Sequence, residues 1–300
     1  MFSGPHVSVC VCTFRRPEML RRLLFELVRQ ETAELFTYDI VIADNDAETS
    51  AKAVVDQVAA VANCRITYTV EPRQNIALAR NAALRAARGQ YVAFIDDDEI
   101  PFPRWLLILF LALRDYRADG VLGPVKPLFE GSPPAWVVRG GFYERPSYPS
   151  GFVIDWRKGR TGNLLFRRNI LTEGEEPFRP EFITGEDQDF FRRMISRGHV
   201  FVWCEEATVY EVVPRARWRA SFMLRRALLR GKVLIEHPTC GVISIAKSFV
   251  ALAVYTFVLP VLLIAGRHHF MRFLVKMCDH LGRVMAVLRL GRPADKYVTD

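Results

Sequence analysis

The sequence has few of the residues from which disulfide frameworks and zinc sites are built. Its six cysteines, at positions 10, 12, 64, 204, 240 and 278, form no CxxC pair, and no histidine-rich spacing accompanies them. Reduced thiols are therefore expected, without structural zinc. The chain also starts without a signal-peptide pattern, because its first apolar run is short and is followed by two arginines. We expect the main globular part to stay in the cytoplasm.

Negative charge is in deficit, since 33 acidic residues face 41 basic ones and leave a formal net charge of +8. Such an excess favours polyanionic partners: nucleic acid, anionic lipid or a diphosphate. No recognised nucleic-acid-binding motif is present, so we predict no nucleic-acid partner. The basic residues crowd one region after Pro214, namely Arg215, Arg217, Arg219, Arg225, Arg226, Arg230 and Lys232.

Strand-like and helix-like patterns alternate through the first half of the chain. Short apolar runs predict strands at 7–12, 39–43, 65–70 and 91–95. Helical spacing follows Pro17 and recurs at 51–62 and 76–88, where Gly89 is expected to cap the helix. A strand at 160–168, a helix at 187–196 and strands at 200–202 and 207–210 complete the pattern. The alternation predicts an α/β fold with a mainly parallel sheet.

Polar clusters follow three of these strands, at 13–16, 44–46 and 96–98. Because ligands bind at the carboxyl ends of the strands in such sheets, we expect the three clusters to share one site. Residues 124–149 are rich in proline, glycine and aromatic residues. They predict either a substrate-side loop or a packed irregular connection.

The third cluster, Asp96-Asp97-Asp98-Glu99, places four adjacent carboxyl groups at a strand end. Like charges repel, so this arrangement favours a compensating cation. Oxygen-only ligands suit Mg²⁺ or Mn²⁺ bridging phosphates. In an Asp-x-Asp pair, the first and third side chains lie on the same side, where one can contact a ribose and the other a metal.

The composition changes near the end of the chain, and we predict a boundary between a domain at 1–235 and a segment at 236–300. Residues 249–265 carry no charge. The length of this uncharged run is at the short end of the roughly 17–25 residues that a helix needs to cross a bilayer. Residues 270–290 alternate basic and apolar side chains, as interfacial helices do. We predict that these helices associate with a membrane; the alternative is that the uncharged run is a buried core helix. Positive charge on both sides leaves open whether the run spans the bilayer or forms a shallow hairpin.

Five motifs carry a family resemblance: VSVCVCTFRRPEMLRRLL, IVIADNDAE, NIALARNAAL, VAFIDDDE and GEDQDFFRRM, in that order. Residues 6–235 resemble the family 2 inverting glycosyltransferases of the A fold, and are most similar to bacterial enzymes of the succinoglycan-type exopolysaccharide pathways. The resemblance implies a mixed, mainly parallel nucleotide-binding sheet flanked by helices. It also implies inverting transfer from a nucleoside-diphosphate sugar, in particular a UDP-sugar, to a lipid-linked or oligosaccharide acceptor.

The resemblance assigns roles position by position. It implies that Asp187 is the catalytic base, that Asp98 ligates Mg²⁺ or Mn²⁺, and that Glu211 stands near where many relatives have a metal-binding histidine. The nucleotide-sugar contacts that it implies are Thr13, Arg15, Asp44, Arg80 and Asp96, with Asp97 grouped beside them. Taken singly, these residues have simpler explanations: a strand end, a helix cap, a solvated helix face or a charge favoured by a helix dipole.

The basic region after Pro214 supplies candidates for binding a diphosphate or an anionic lipid: Arg215, Arg217, Arg225 and Arg226. With the apolar tail, they predict a location at the cytoplasmic face of the bacterial inner membrane. Two other functions remain open at this point. One is nucleotidyl transfer, which also uses acidic clusters on α/β sheets, and the other is a non-catalytic membrane scaffold for polysaccharide assembly.

Overall fold

The structure, a computed structural model, describes residues 4–182, 184–233 and 241–290. The chain divides into two compact units. The first unit comprises Met1–Lys126, Arg145–Glu181 and Glu186–Val212, and the second comprises Pro127–Glu144, Phe182–Gly185 and Val213–Asp300. The predicted boundary between 235 and 236 falls in 234–240, outside the described residues, and stays a prediction.

The first part of the chain repeats strand, helix and strand. Its elements are β1 His6–Thr13, α1 Pro17–Leu27, β2 Thr37–Asp44, α2 Lys52–Ala59, β3 Ile66–Val70, α3 Ile76–Ala86, β4 Tyr91–Ile95, β5 Glu99–Pro101 and α4 Trp105–Asp115. The later elements are β6 Gly120–Leu122, β7 Val125–Phe129, α5 Ala135–Gly140, β8 Asn163–Arg167, α6 Glu186–Ser196, β9 Phe201–Trp203, β10 Val209–Val213, α7 Ala220–Val233, α8 Val242–Ala265 and α9 Arg267–Val287.

The main sheet has seven strands in the order β3-β2-β1-β4-β8-β6-β9. The neighbours β2–β3, β1–β2, β1–β4 and β6–β9 are parallel, whereas β8 runs antiparallel to both β4 and β6. The predicted α/β fold with a mixed, mainly parallel sheet is therefore confirmed. Register pairs Thr13 with Asp44, and Asp44 with Val70, so β1, β2 and β3 end at the same edge.

Both faces of the main sheet are covered by helices, which explains why its strands are continuous apolar runs. Alternate residues of one strand enter different cores: Val9 packs in a cluster with α1, α2 and α4, and Cys10 packs in a cluster with α3 and α6. Gly89 has a different role from the predicted helix cap, because α3 ends at Ala86. A Cβ atom on Gly89 would lie 2.6 Å from the backbone nitrogen of Ser8, so glycine permits close approach to β1.

A second sheet has the order β5-β10-β7, and β5 pairs with β10 in the antiparallel sense. Its register sets Glu211 directly opposite Glu99. The backbone N–H of Val212 also donates to the carbonyl oxygen of Asp98 at 2.7 Å. The short sheet thereby brings residue 211 beside the acidic cluster, although more than a hundred positions separate them in sequence.

The second unit has its own apolar cluster. Val137, Val213, Trp218 and Met223 are buried in it, and the aromatic residues of the 124–149 region pack against them: Phe129, Trp136, Phe142 and Tyr143. Of the two alternatives predicted for residues 124–149, these four aromatic side chains therefore fit the packed irregular connection. Among the described residues, one helix is long and apolar enough to cross a membrane, Ile243–Ala265 in α8.

Candidate active site

Hydrogen bonds join the loops that follow the first strands. The backbone N–H of Asn45 donates to the carbonyl oxygen of Thr13 at 2.8 Å, and that of Glu71 donates to the carbonyl oxygen of Asp44 at 2.9 Å. The Thr13 hydroxyl donates to Asp97 Oδ2 at 2.7 Å. Thr13 thus contacts both of the other predicted clusters, and all three lie at one sheet edge.

The two aspartates after β2 have different partners. Asp44 is fully buried, and its carboxylate accepts hydrogen bonds from the backbone of Asp46 at 3.1 Å, the backbone of Ala51 at 2.9 Å and the Tyr68 hydroxyl at 2.8 Å. These contacts organise the loop, and its predicted contact with the nucleotide base stays a prediction. Arg15 makes two hydrogen bonds to Asp46, at 3.1 and 3.2 Å, which lowers the pKa of that carboxyl. The Arg15 side chain itself is largely exposed, so it can meet a ligand.

The acidic cluster is itself largely buried. Asp97 and Asp98 are 6% and 8% exposed, and Arg16 lies 3.4 Å from an oxygen of each. Burial raises the pKa of Asp97 to about 7, while Arg16 opposes that rise. The Asp96 side chain is about half exposed and is the member of the cluster most open to a ligand. Arg16 was not among the predicted site residues, although it stands in the TFRRP motif beside Arg15.

The sheet partner of the cluster adds a further carboxylate and an arginine. Glu211 forms an ion pair with Arg145, and Glu99 is almost fully buried opposite it. Burial, followed by the Asp96 carboxylate, raises the pKa of Glu99 well above its ordinary value. Gly162 leaves room for these carboxylates, because a Cβ atom there would lie 2.8 Å from both Asp96 Oδ2 and Glu99 Oε1.

A divalent cation fits this site by donor chemistry. The Oε1 atom of Glu99 is buried and has no hydrogen-bond partner. The side-chain atoms near it that could ligate a metal are carboxylate oxygens, which are the ligands that Mg²⁺ and Mn²⁺ prefer. Asp98 and Glu211 are the side chains that would hold the ion. Within the described ranges, no three His, Cys, Asp or Glu side chains stand ready-grouped around a metal position. Here Arg16 and Arg145 supply the compensating positive charge.

Arg80 joins the acidic cluster to the start of α6. Only 7% of its surface is exposed, its guanidinium pairs with Glu186, and its Nη2 lies 3.9 Å from Asp96 Oδ1. Burial raises the pKa of Glu186 to about 7, against the opposing effect of Arg80. The alternative of a solvated helix face is therefore wrong for Arg80. Glu186 was not predicted as a site residue, although it immediately precedes Asp187.

The rest of the NIALARN motif fixes the loop before α6. Asn75 caps α3 by accepting from the Leu78 N–H at 3.1 Å, and its amide donates to the Pro180 carbonyl oxygen at 2.9 Å. Asn81 exchanges two hydrogen bonds with the backbone of Phe178, at 2.6 and 3.0 Å. Sequence reasoning missed both asparagines. The signal for Asn81 was an amide residue beside Arg80 inside a helix, where such residues are otherwise unfavourable, and the signal for Asn75 was an asparagine at the helix N-cap, where it is favoured.

Asp187 lies in the first turn of α6 and is partly exposed. Its Oδ1 accepts a hydrogen bond from the backbone N–H of Gln188 at 2.8 Å. Arg160 is near enough to interact electrostatically: burial and the neighbouring Arg145 lower the pKa of Arg160, whereas Asp187 raises it. The predicted base is therefore a carboxylate reachable from solvent, with Arg160 and Arg80 near enough to interact with it electrostatically.

The four arginines proposed for diphosphate or lipid binding belong to the second unit and differ in exposure. Arg215, Arg225 and Arg226 are exposed, whereas Arg217 is 5% exposed. The Tyr143 hydroxyl donates to the carbonyl oxygen of Arg217 at 2.5 Å, which anchors that residue within its own unit. The three exposed arginines have the accessibility that binding an anion requires.

Comparison with known proteins agrees with this architecture. The sequence profile of Glycosyl transferase family 2 matches residues 8–173, more than half of the chain. The succinoglycan biosynthesis protein ExoM of Rhizobium meliloti is 35% identical over 238 residues, which is 77% of this chain and 76% of that protein. The putative colanic acid biosynthesis glycosyl transferase WcaA of Escherichia coli is 26% identical, over 65% of this chain and 68% of that protein. The chain therefore belongs to glycosyl transferase family 2.

Solved structures confirm the fold. The mannosyltransferase PcManGT from Pyrobaculum calidifontis, in complex with GDP-Man and Mn²⁺, superimposes with a TM-score of 0.62 at 18% identity. That match covers 95% of this chain and 88% of the other. S. aureus TarS 1-349 in complex with UDP-GlcNAc gives a TM-score of 0.54 at 17% identity, over 81% of this chain and 69% of the other. The predicted glycosyltransferase A fold is confirmed, and the protein is a glycosyltransferase.

Proposed function

We propose that this glycosyltransferase moves a sugar from a UDP-sugar to a lipid-linked or oligosaccharide acceptor, with inversion at the anomeric carbon, in bacterial surface or exopolysaccharide synthesis. The observation that carries the proposal is the contact chain Asp96–Arg80–Glu186, which ties the acidic cluster to the helix turn bearing Asp187. Relatives acting in exopolysaccharide synthesis support the pathway class. Family membership favours this reaction over nucleotidyl transfer and over a scaffold.

The proposed reaction is a single displacement. An acceptor hydroxyl oxygen attacks the anomeric carbon, its proton passes to the Asp187 carboxylate, and the bond from that carbon to the diphosphate oxygen breaks. Asp187 suits the task because it is a partly exposed carboxylate in the first turn of α6. Inversion follows from one displacement at one carbon.

A second group of residues, distinct from the proposed base, is assigned to binding the nucleotide. Thr13, Arg15 and Asp96 contact the nucleoside, and Arg80 stabilises the negative charge near the phosphates. Mg²⁺ or Mn²⁺, held by Asp98 and Glu211, supplies electrostatic stabilisation of the departing diphosphate when bound. The finding of Mn²⁺ with GDP-Man in the mannosyltransferase of the same fold supports a metal of this kind.

The proposed location is the cytoplasmic face of the bacterial inner membrane. The long apolar stretch of α8, whose mean hydropathy reaches 2.4, supports membrane attachment. The exposed arginines Arg215, Arg225 and Arg226 fit anionic headgroups or the diphosphate of a lipid-linked acceptor. A lipid-linked acceptor would lie at the same surface as the attached enzyme.

The test is a donor screen with the purified full chain, Mn²⁺ or Mg²⁺, and release of nucleoside diphosphate as the readout. Asp187→Asn is expected to lower the rate about 10²–10⁴-fold, the usual contribution of a general base. Asp115→Asn makes the same change at an exposed position of α4 and should leave the rate unchanged. Full activity of Asp187→Asn and Asp98→Asn, or release of pyrophosphate from a nucleoside triphosphate, would refute the proposal.

A further inference from the structure

The helix α8 has far more apolar surface than its own unit covers. Only 11% of the most apolar 18 residues within Ile243–Ala265 are buried. Phe257 and Ile264 are 80% and 90% exposed, and Ile243, Val250 and Val261 are each more than 60% exposed. A soluble protein does not leave so continuous an apolar surface in water. The length of the run, about 35 Å at 1.5 Å per residue, would suffice to cross a bilayer core of about 30 Å.

The next helix, however, lies alongside α8 for most of this length. The chain turns at Gly266, whose φ of +127° suits glycine. The rings of Tyr255 and Phe273 are 5.8 Å apart, and Ser248 Oγ lies 3.1 Å from His280 Nδ1. Tyr255 and Phe273 stand 11 and 7 residues from Gly266, and Ser248 and His280 stand 18 and 14 residues from it, so the two contacts share one register. The helices α8 and α9 therefore form an antiparallel pair, and any depth reached by α8 is also reached by α9.

The helix α9 is not suited to such a depth. Lys276 lies at its middle and is exposed, beside Arg272 one turn away. The register of the pair sets Lys276 level with Leu252, near the middle of the apolar stretch. If α8 crossed the bilayer, the Lys276 ammonium would stand at the bilayer centre, where charged side chains are rare unless they face protein or water.

The opposite side of α9 is attached to α7. Arg230 of α7 pairs with Asp279 of α9. Glycine allows the two backbones to meet: a Cβ atom on Gly231 would lie 2.0 Å from the Asp279 carbonyl oxygen, and one on Gly282 would lie 2.2 Å from the Leu228 carbonyl oxygen. A crossing α8 would therefore draw a second charged helix toward the hydrocarbon as well.

We propose that α8 lies in the plane of the membrane interface, with its apolar face among the acyl chains and α9 on its water-facing side, and that it does not cross the bilayer. Lys247, Arg267 and His269, all exposed, are placed near the two ends of the apolar run, where anionic headgroups attract them. This inference rests on the membrane attachment proposed above and specifies its geometry. The partner of the exposed apolar face of α8 is an anionic lipid bilayer.

The decisive test is the side of the membrane on which the α8–α9 turn lies. The full chain carrying His269→Cys is produced in bacterial cells, and inside-out inner-membrane vesicles are labelled with a membrane-impermeant maleimide. Val61→Cys, at a position 71% exposed in the first unit, marks the outer vesicle surface, and the unsubstituted chain gives the background of native cysteines. We expect position 269 to be labelled without detergent to the same extent as position 61. Labelling at 269 only after detergent would overturn the proposal.

A second arm tests contact with the acyl chains. Phe257→Glu places a charge in the centre of the exposed face and should lower the membrane-bound fraction, whereas Val61→Glu, the matched change outside α8, should not. An unchanged bound fraction for Phe257→Glu would overturn the proposal. If the unsubstituted chain is itself soluble, the proposed attachment fails altogether. Sugar transfer, measured separately on the soluble chain, then decides the proposed reaction independently.

Discussion

The buried pair of Arg80 and Glu186 offers the sharpest test of how the site is held together. Arg80→Met removes the guanidinium but keeps much of the apolar stem, so Glu186 is left with its charge buried and its partner gone. Breaking a buried pair from one side costs about 3–5 kcal/mol. Arg85→Met makes the same substitution at an exposed position of the same helix and should change stability by less than about 0.5 kcal/mol.

The stability lost in Arg80→Met depends on pH, because burial raises the pKa of Glu186. Its pKa in the folded protein, about 7, is raised above the ordinary value of 4.5. A raised carboxyl pKa means that the folded state binds the proton more tightly, so stability falls as pH rises from about 4.5 through 7. Without Arg80 that pKa rises further and the fall extends to higher pH. The loss in Arg80→Met should therefore be largest above about pH 8, and near about pH 5 should shrink to the cost of lost packing and hydrogen bonds, about 1–3 kcal/mol.

The assay is urea unfolding followed by tryptophan fluorescence, at both pH values, for the full chain and the two methionine variants. Combining Arg80→Met with Glu186→Gln should restore most of the stability lost at high pH, since removing both charges leaves no buried ion unpaired. Equal losses at the two pH values, or an Arg80→Met variant as stable as Arg85→Met, would refute the assigned pairing.

The remaining predictions concern the acidic cluster. Thr13→Val removes the donor to Asp97 and should cost about 1.5–3 kcal/mol in unfolding free energy; thermal unfolding checks this, and an unchanged midpoint would contradict the contact. Gly162→Ala should weaken donor-nucleotide binding in calorimetry, because its Cβ would enter the space of two carboxylates, while Gly241→Ala, in open space, should not; equal affinities would count against a shared cradle. Glu211→Ala should raise the Mn²⁺ concentration for half-maximal transfer about tenfold or more, by the scale of metal-site losses; chelator-treated protein titrated with Mn²⁺ measures this, and an unaltered titration would exclude Glu211 as a ligand.

Much of the fold could be predicted from the sequence, because in the first half of the chain the buried strands are the apolar runs of the sequence. The apolar runs of β1, β2 and β4 end at polar clusters, and the structure ends the strands there. The helix Trp105–Asp115 has no such pattern. Apolar side chains cover nearly its whole circumference because it is buried on several sides, so helical periodicity does not mark it.

The site was predictable as a set of motifs but not as a set of contacts. The sequence could place Asp98 at a strand end, yet it could not show that Arg16 lies against it. Burial of Arg80 and its pairing with Glu186 depend on contacts made across 106 positions of sequence. The roles of Asp44 and Asp187 remain predictions, since the structure shows how each carboxylate is held and not what it binds.

The short β5–β10 pairing has an evolutionary consequence. The family profile ends at residue 173, but Glu211 reaches the acidic cluster only through this pairing, and Asp187 also lies later in the chain. The residues that the family profile matches thus include the proposed nucleotide contacts, whereas the proposed base Asp187 and the proposed metal ligand Glu211 lie in the later segment. On the proposed function, changes in the later segment can alter the acceptor side while the matched residues are kept, a modular route by which one ancestral scaffold can diversify its products.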